Sequence, residues 1–400
     1  MWECASSLLH QEIPYRAWSQ AQLKVSHGGL GILSQHMLVS AAYLGCMCMC
    51  MPHMRGRAHM REVTEGMGRG GTLPMHQHAY DAHQHIGSLY REEEGEEIVA
   101  LTDLDTVPDH AQRAFTSKVS REAMGEVMRG AEDGYEYARL LSTTGYAAGM
   151  WLQGRLTDRT LKMEGEVFRV AVKLRLGMAC GVVSPTQTCA CCGVRVDPKG
   201  WHHLYCKGSH LIARHDRLVA TLAAMLRDAV GRGRVHVELL GCLTEGSGSM
   251  RMDIVVDSAA GDSMAMLDAA VCMPMADSYV GAAQVQGGAA AQRAAAKHGK
   301  YDRYIPEGSS FAAAVVEVMG GWGKELHMFW KDLLLQMDEE AEACGEDKLS
   351  DSFAAKWLPR IAVSVQRGNA LAIIHRARSD RAAAGRATGG KRPHYYDDSY

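Results

Sequence analysis

The chain has 400 residues, 47% of them hydrophobic and 22% charged, enough for about two domains with buried cores and too apolar for wholesale disorder. Its 43 Lys and Arg nearly cancel its 46 Asp and Glu, leaving a net charge of -3 and no global positive field for nucleic acid or an anionic membrane. Glu3, His10, Gln11 and Glu12 interrupt the start, and the apolar run from Met37 is broken by Ser40 and falls short of the roughly 20 residues that cross a bilayer, so neither a secretory leader nor a membrane span is expected.

In chain order, residues 1–50 read as amphipathic helix with a glycine turn at Gly28 and Gly29. Residues 51–100 lose sustained periodicity and are expected to form a disordered low-complexity insert. Two biased tracts here invite metal: His76, His78, His83 and His85, and the alternation of Cys46, Cys48 and Cys50 with Met47, Met49 and Met51, the latter like a copper-chelating string. The plainer account of both is passive low-complexity sequence. Helices return over 101–188, with a clear one from Glu166.

A strong helix follows from Asp216, with Leu218, Leu222, Met225 and Leu226 on one face and Gly231 beyond its end. The runs "RVHVELL", "RMDIVVD" and "SMAMLDAAVCM" then predict short strands separated by Gly-Ser turns. An alanine-rich helix, another near Phe311, C-terminal helices over 331–378 and a frayed polar tail over 379–400 complete the chain. The expected class is mixed α/β, a small sheet flanked by helices behind a mostly helical N-terminal region.

Twelve cysteines in a chain expected to be intracellular are thiols or metal ligands rather than a disulfide frame. Residues 189–213 concentrate them. Cys189 and Cys192 form a CxxC turn relaxed by Gly193, and His202 and Cys206, four apart, supply a second pair for a tetrahedral zinc. Cys191, His203 and His210 stay open as substitutes. Four protein ligands leave no position for water, so the ion would be structural.

Asp253 and Asp268 each sit inside an apolar, strand-like run, where a carboxylate is costly unless paired, solvated or bound to a cation. Two on neighbouring strands can share one Mg2+, and Glu238 in the preceding strand is a candidate third acid.

The succession Cys-x-x-Cys, His-x-x-x-Cys, "ARHD", "MDIVV", "LDAAV" and "KYDRYIPEG" resembles the C-terminal half of proteins encoded by non-LTR retrotransposons with a restriction-enzyme-like endonuclease. The resemblance covers about two thirds of the chain and is most specific from 189 to 305. It implies a CCHC zinc knuckle over 189–213, a PD-(D/E)xK nuclease over 214–330 and, over 1–50, a remnant of the reverse-transcriptase connector. The implied activity is Mg2+-dependent nicking of DNA to prime reverse transcription, in the nucleus, with DNA and then element RNA as partners, no membrane, and an oligomeric state left open. It makes Cys189, Cys192, His202 and Cys206 zinc ligands and Asp253 and Asp268 metal-binding acids.

The chain departs from the pattern at Met252, where proline is expected, and at Ala270, where lysine is expected. Lys300 or Lys297 on the following helix would replace that lysine. Arg214 and His215 are expected to meet nucleic acid, and nine cations between Lys356 and Arg392, opposed within that stretch by Asp380 alone, could add a phosphate-facing patch. The "YYDD" at Tyr395 to Asp398 matches the polymerase YxDD letter for letter but follows a Gly-rich basic stretch instead of a buried strand, so no polymerase centre is expected.

Overall fold

The computed structural model describes residues 1–57, 60, 73–94, 110–155, 157–258 and 263–388, in two compact units: residues 18–130, and residues 1–17 with 131–400. The helices are α1 (Trp2–Leu9), α2 (Tyr15–Ala21), α3 (Gln35–Arg55), α4 (Pro74–Glu94), α5 (Ala111–Arg129), α6 (Gly134–Thr143), α7 (Gly165–Arg175), α8 (Ser209–Val230), α9 (Gly288–Tyr301), α10 (Lys324–Ala343) and α11 (Ser350–Thr388). The strands are β1 (Val235–Leu240), β2 (Arg251–Asp257), β3 (Met264–Cys272) and β4 (Ser310–Glu317).

In the smaller unit α3, α4 and α5 pack through Leu44, Met51, Ala79, Ile86, Phe115 and Val119. Gly45 lets α3 and α5 approach closely, since a Cβ there would lie 2.6 Å from the Gln112 Cα. The disorder expected over 51–100 is therefore corrected for 74–94, where Ala79, Ala82, Ile86 and Leu89 form a buried helical stripe of small and medium residues that the histidines obscure. The rest of that segment lies largely outside the described residues. Helix α3 also outgrows the expected run: it is long and apolar enough by length and composition to cross a membrane, and 33% of its apolar window is buried inside the protein.

The larger unit is built on a four-stranded sheet in the order β1-β2-β3-β4. β1, β2 and β3 form an antiparallel meander, and β4 returns parallel to β3 after the α9 crossover. One face carries Ile254, Val256, Leu267, Ala269 and Val316 into a core with Leu218, Leu222 and Leu226 of α8, Trp330 of α10 and Trp357 and Ile361 of α11. The other face presents Ala270, Cys272, Ala313 and Val315 to Ala289, Ala290 and Ala294 of α9, small residues that let the helix sit close.

The region near Phe311, expected as helix, is strand β4. Its alanines favour helix, but Val315 and Val316 and the continuous ladder opposite β3 decide for strand, a tertiary override of local propensity. Helix α8 begins at Ser209, earlier than expected, and stops before Gly231, whose φ of 93° suits glycine. The tail expected from Ser379 is also corrected: α11 continues to Thr388 and buries Asp380, whose carboxylate accepts the Ala190 N–H at 2.9 Å. Tyr395 to Asp398 lie outside the described residues.

Candidate functional site

The knuckle begins as a tight ribbon. Thr188 bridges Arg195, the Cys189 N–H donates to the Val194 carbonyl at 2.8 Å, and the Gly193 N–H returns to the Cys189 carbonyl at 2.8 Å. Gly193 has φ 73°, a conformation that glycine adopts without strain, so the turn aims both CxxC thiols the same way. Asp197 then caps the short helix Trp201–Leu204, accepting from the N–H groups of Trp201 at 3.0 Å and His202 at 2.8 Å, which fixes His202 opposite the thiols.

The donor atoms of Cys189, Cys192, His202 and Cys206 all lie within 4.8 Å of one another. Cys189 Sγ is 3.7 Å and Cys192 Sγ 3.8 Å from Cys206 Sγ, and Cys192 Sγ is 3.3 Å from His202 Nε2. A tetrahedral ion with metal–sulfur bonds of about 2.3 Å separates its sulfurs by about 3.8 Å, so the donors are spaced for a metal such as zinc. Burial pushes Cys206 up to about 12, with the neighbouring thiols adding to it; for Cys189 the Arg376 guanidinium at 3.3 Å and local N–H groups outweigh burial and bring it to about 6.

The substitutes drop out. Cys191 points to the Lys207 carbonyl, His203 is buried against Asp380 at 2.9 Å, and His210 packs on the His375 ring. The other metal-loving tracts do not converge. Helical winding buries Cys48 while Cys46 and Cys50 face solvent, and on α4 His76 is buried whereas His78 and His85 are exposed. Among the described residues the Cys189 group is the one cluster of three or more such donors.

The second centre lies where β2 and β3 part. Their ladder pairs Ile254 with Leu267, so the next step on each strand sets Asp253 opposite Asp268. Directly opposed carboxylates repel and need cationic company. Lys297 supplies it, forming an ion pair with Asp268 Oδ2 and donating to the Ala269 carbonyl at 3.2 Å. That Asp268 oxygen is held by the ammonium of Lys297 alone, with no hydrogen bond of ordinary geometry. Asp268 Oδ1 accepts from the Tyr301 hydroxyl at 2.9 Å, and Lys300 Nζ donates to that hydroxyl at 2.6 Å.

Asp253 Oδ2 accepts the Ala269 N–H at 2.7 Å and faces His215 Nε2 at 3.1 Å. Burial alone would raise the Asp253 carboxyl, but His215, the Ala269 amide and Lys297 outweigh it and hold it below its ordinary value. His215 is raised in turn by its bond to Asp253. Burial pulls Lys297 down to about 8. Around these groups is a polar cavity of about 370 Å3 that also reaches Ser249, Met250 and Arg251.

Of the expected residues, Asp253, Asp268, Lys300 and His215 thus line one cavity. Lys297, one helical turn before Tyr301, is the lysine that touches an acid, while Lys300 reaches Asp268 through Tyr301. Glu238 is a correction. Its φ of 56° turns it out of the β1 ladder, and it pairs at 2.7 Å with Arg251 of the cavity lining without lining the cavity itself. Arg214 is 5% exposed, donates to Asn369 at 3.1 Å and packs on Gly368, so it is set into the protein rather than out on its surface.

Three cations of the C-terminal basic stretch are engaged in partly exposed ion pairs, Lys356 with Asp228, Arg360 with Asp158 and Arg378 with Glu166. Tyr301 went unnoticed in the sequence, although its place after Lys297 and Lys300 on one helix could have flagged it. No protein-family model matches the chain, and no curated protein matches it.

Proposed function

We propose that the protein is a metal-dependent endonuclease that hydrolyses phosphodiester bonds of DNA, of the kind that non-LTR retrotransposons use in the nucleus to nick a target and prime reverse transcription. The observation that carries this reading is the opposition of Asp253 and Asp268 at the parting of two strands, with a lysine against one acid and a histidine against the other. Acids this deeply buried stay charged only when paired or bound to a cation, and both open on one polar cavity.

Mg2+ held by the two carboxylates would neutralise charge on the scissile phosphate and acidify a bound water. Asp253 is oriented for this by the Ala269 amide and His215, and Asp268 by the Tyr301 hydroxyl. Lys297, lowered by burial into the range where an amine exchanges protons near neutral pH, would orient the attacking water and take its proton. The knuckle, loaded with zinc, would be architectural, fixing the loop that delivers α8 and with it His215.

Buried Ala270, standing where the resemblance expects lysine, favours a second reading in which the fold serves as a zinc-dependent nucleic-acid-binding module without chemistry. Zinc-loaded full-length protein incubated with supercoiled plasmid and Mg2+ separates the two. Nicking that falls at least about a thousandfold in both Asp253→Asn and Asp268→Asn, with zinc retained, supports the nuclease. A folded, zinc-bound wild type that binds DNA and leaves every plasmid intact rejects it.

A further inference from the structure

The acid cavity adjoins a second hollow of about 280 Å3, and the two share His215 and Lys297. It opens where β3 parts from β2. The β2 ladder ends at Leu267, and beyond it the N–H and carbonyl of Ala269 are taken by Asp253 and Lys297 side chains. Into this gap α8 sends Arg214 and α9 sends Arg293, which stands four residues before Lys297 and so on the same helical face. Cations and apolar atoms line the hollow, and none of its lining residues is a carboxylate.

Arg214 is unusual within it. Its Nη1 is held by Asn369, but its Nε is buried without a hydrogen-bond partner. That Nε is shut from solvent, so an anion in the hollow would answer the buried guanidinium charge, held by the neutral Asn369 amide, and not the N–H itself. Even lowered by burial to about 10, the group stays charged at neutral pH. Guanidinium groups suit phosphate because their planar fork matches its oxygens.

We propose that this hollow is a phosphate subsite, with Arg214 as its floor and Arg293 at its rim, that holds the DNA backbone phosphate adjacent to the one presented to Asp253 and Asp268. The assignment to DNA rests on the nuclease reading. Sharing Lys297 and His215 makes the two phosphates neighbours on one strand, so the subsite would register the strand over the acids without reading its bases.

The test uses zinc-loaded full-length protein, a short fluorescent duplex, and Ca2+ in place of Mg2+ to hold cleavage back. Arg293 is half-buried and can be changed without unpacking the core, unlike Arg214. Arg293→Gln is expected to weaken duplex binding about tenfold and to reduce the slope of log affinity against log salt by about 0.9, the signature of one lost phosphate contact. Inorganic phosphate should compete with duplex on the wild type and lose most of that effect on Arg293→Gln.

Wild-type affinity and slope in Arg293→Gln, in a protein whose wild type nicks plasmid, would overturn the subsite and leave the nuclease standing. Phosphate binding lost in Arg293→Gln, in a protein whose wild type binds no duplex, would overturn the assignment to DNA together with the nuclease reading.

Discussion

The knuckle gathers its four donors from one loop between Cys189 and Cys206, whereas the acid cavity gathers its groups from α8, β2, β3 and α9, between His215 and Tyr301. A local site is shaped largely by turn chemistry, here the Gly193 turn, the Asp197 cap and a short helix. A dispersed site exists only once the sheet has formed, because the opposition of Asp253 and Asp268 is a property of register. The knuckle should therefore matter chiefly to folding and the cavity chiefly to chemistry, and each can be perturbed without the other.

The largest effect expected comes from the metal. On the proposed zinc loading, stripping the metal with a chelator, or Cys192→Ala, should remove about 10 kcal/mol or more of binding free energy from the folded state and lower the melting temperature by roughly 10 °C or more. Asp253→Asn, by contrast, should keep its zinc and melt within a few degrees of wild type. Metal-free protein melting like the wild type would erase the distinction, and calorimetry with metal analysis decides it.

Within the cavity the two lysines sharpen the comparison further. On the proposed nuclease reading, Lys297→Met removes the cation pressed against Asp268 and should slow nicking by about a hundredfold or more, the usual worth of a positioned proton-transfer group. Lys300→Met acts through Tyr301 and should cost about tenfold or less. Single-turnover rates at saturating plasmid would settle it, and the reverse order would move the catalytic role to Lys300.

Asp380 tests whether the knuckle is as self-contained as its sequence suggests. Its carboxylate accepts the Ala190 N–H and faces the His203 ring, with Gln187 at 3.5 Å, so helix α11 pins the loop from outside. Asp380→Ala leaves these buried groups unmatched and should cost about 3 kcal/mol, read as reduced denaturation midpoint and weaker zinc retention under chelator competition. Unchanged zinc retention would mean that the loop organises its own ligands.

The difference between the centres also explains what the sequence could reveal. The ligand set of the knuckle was legible because its spacing is its geometry, yet Asp380 was read as tail because its role depends on a helix that returns from far along the chain. The carboxylates were legible as acids inside apolar runs. That Lys297 and not Lys300 touches Asp268, and that Glu238 leaves the β1 ladder, follow from the pitch and placement of α9 and the positive φ in β1. Alanine's local preference for helix hides strand β4, whose ladder only β3 can supply, and histidines mask the narrow apolar stripe of α4.

The smallest effect concerns how α9 is held while it carries Lys297. Its His298 bonds Asp302 on its own turn at 2.7 Å and Glu325 of α10 at 2.9 Å, with the Phe311 ring of β4 edge-on. Burial alone would lower His298, but the two carboxylates outweigh it and raise it above 6.5. A folded-state value raised in this way stabilises fully below the unfolded value and is lost as pH climbs through the folded one. The three side chains are about a third to more than half exposed, so screening keeps the contribution under about 1 kcal/mol. His298→Gln should thus melt slightly below wild type under mildly acidic conditions above the carboxylate range, and the gap should close as pH rises past the imidazole. A gap that instead widened with pH would show that the imidazole holds α9 to α10 in its neutral form, by hydrogen bonding without charge.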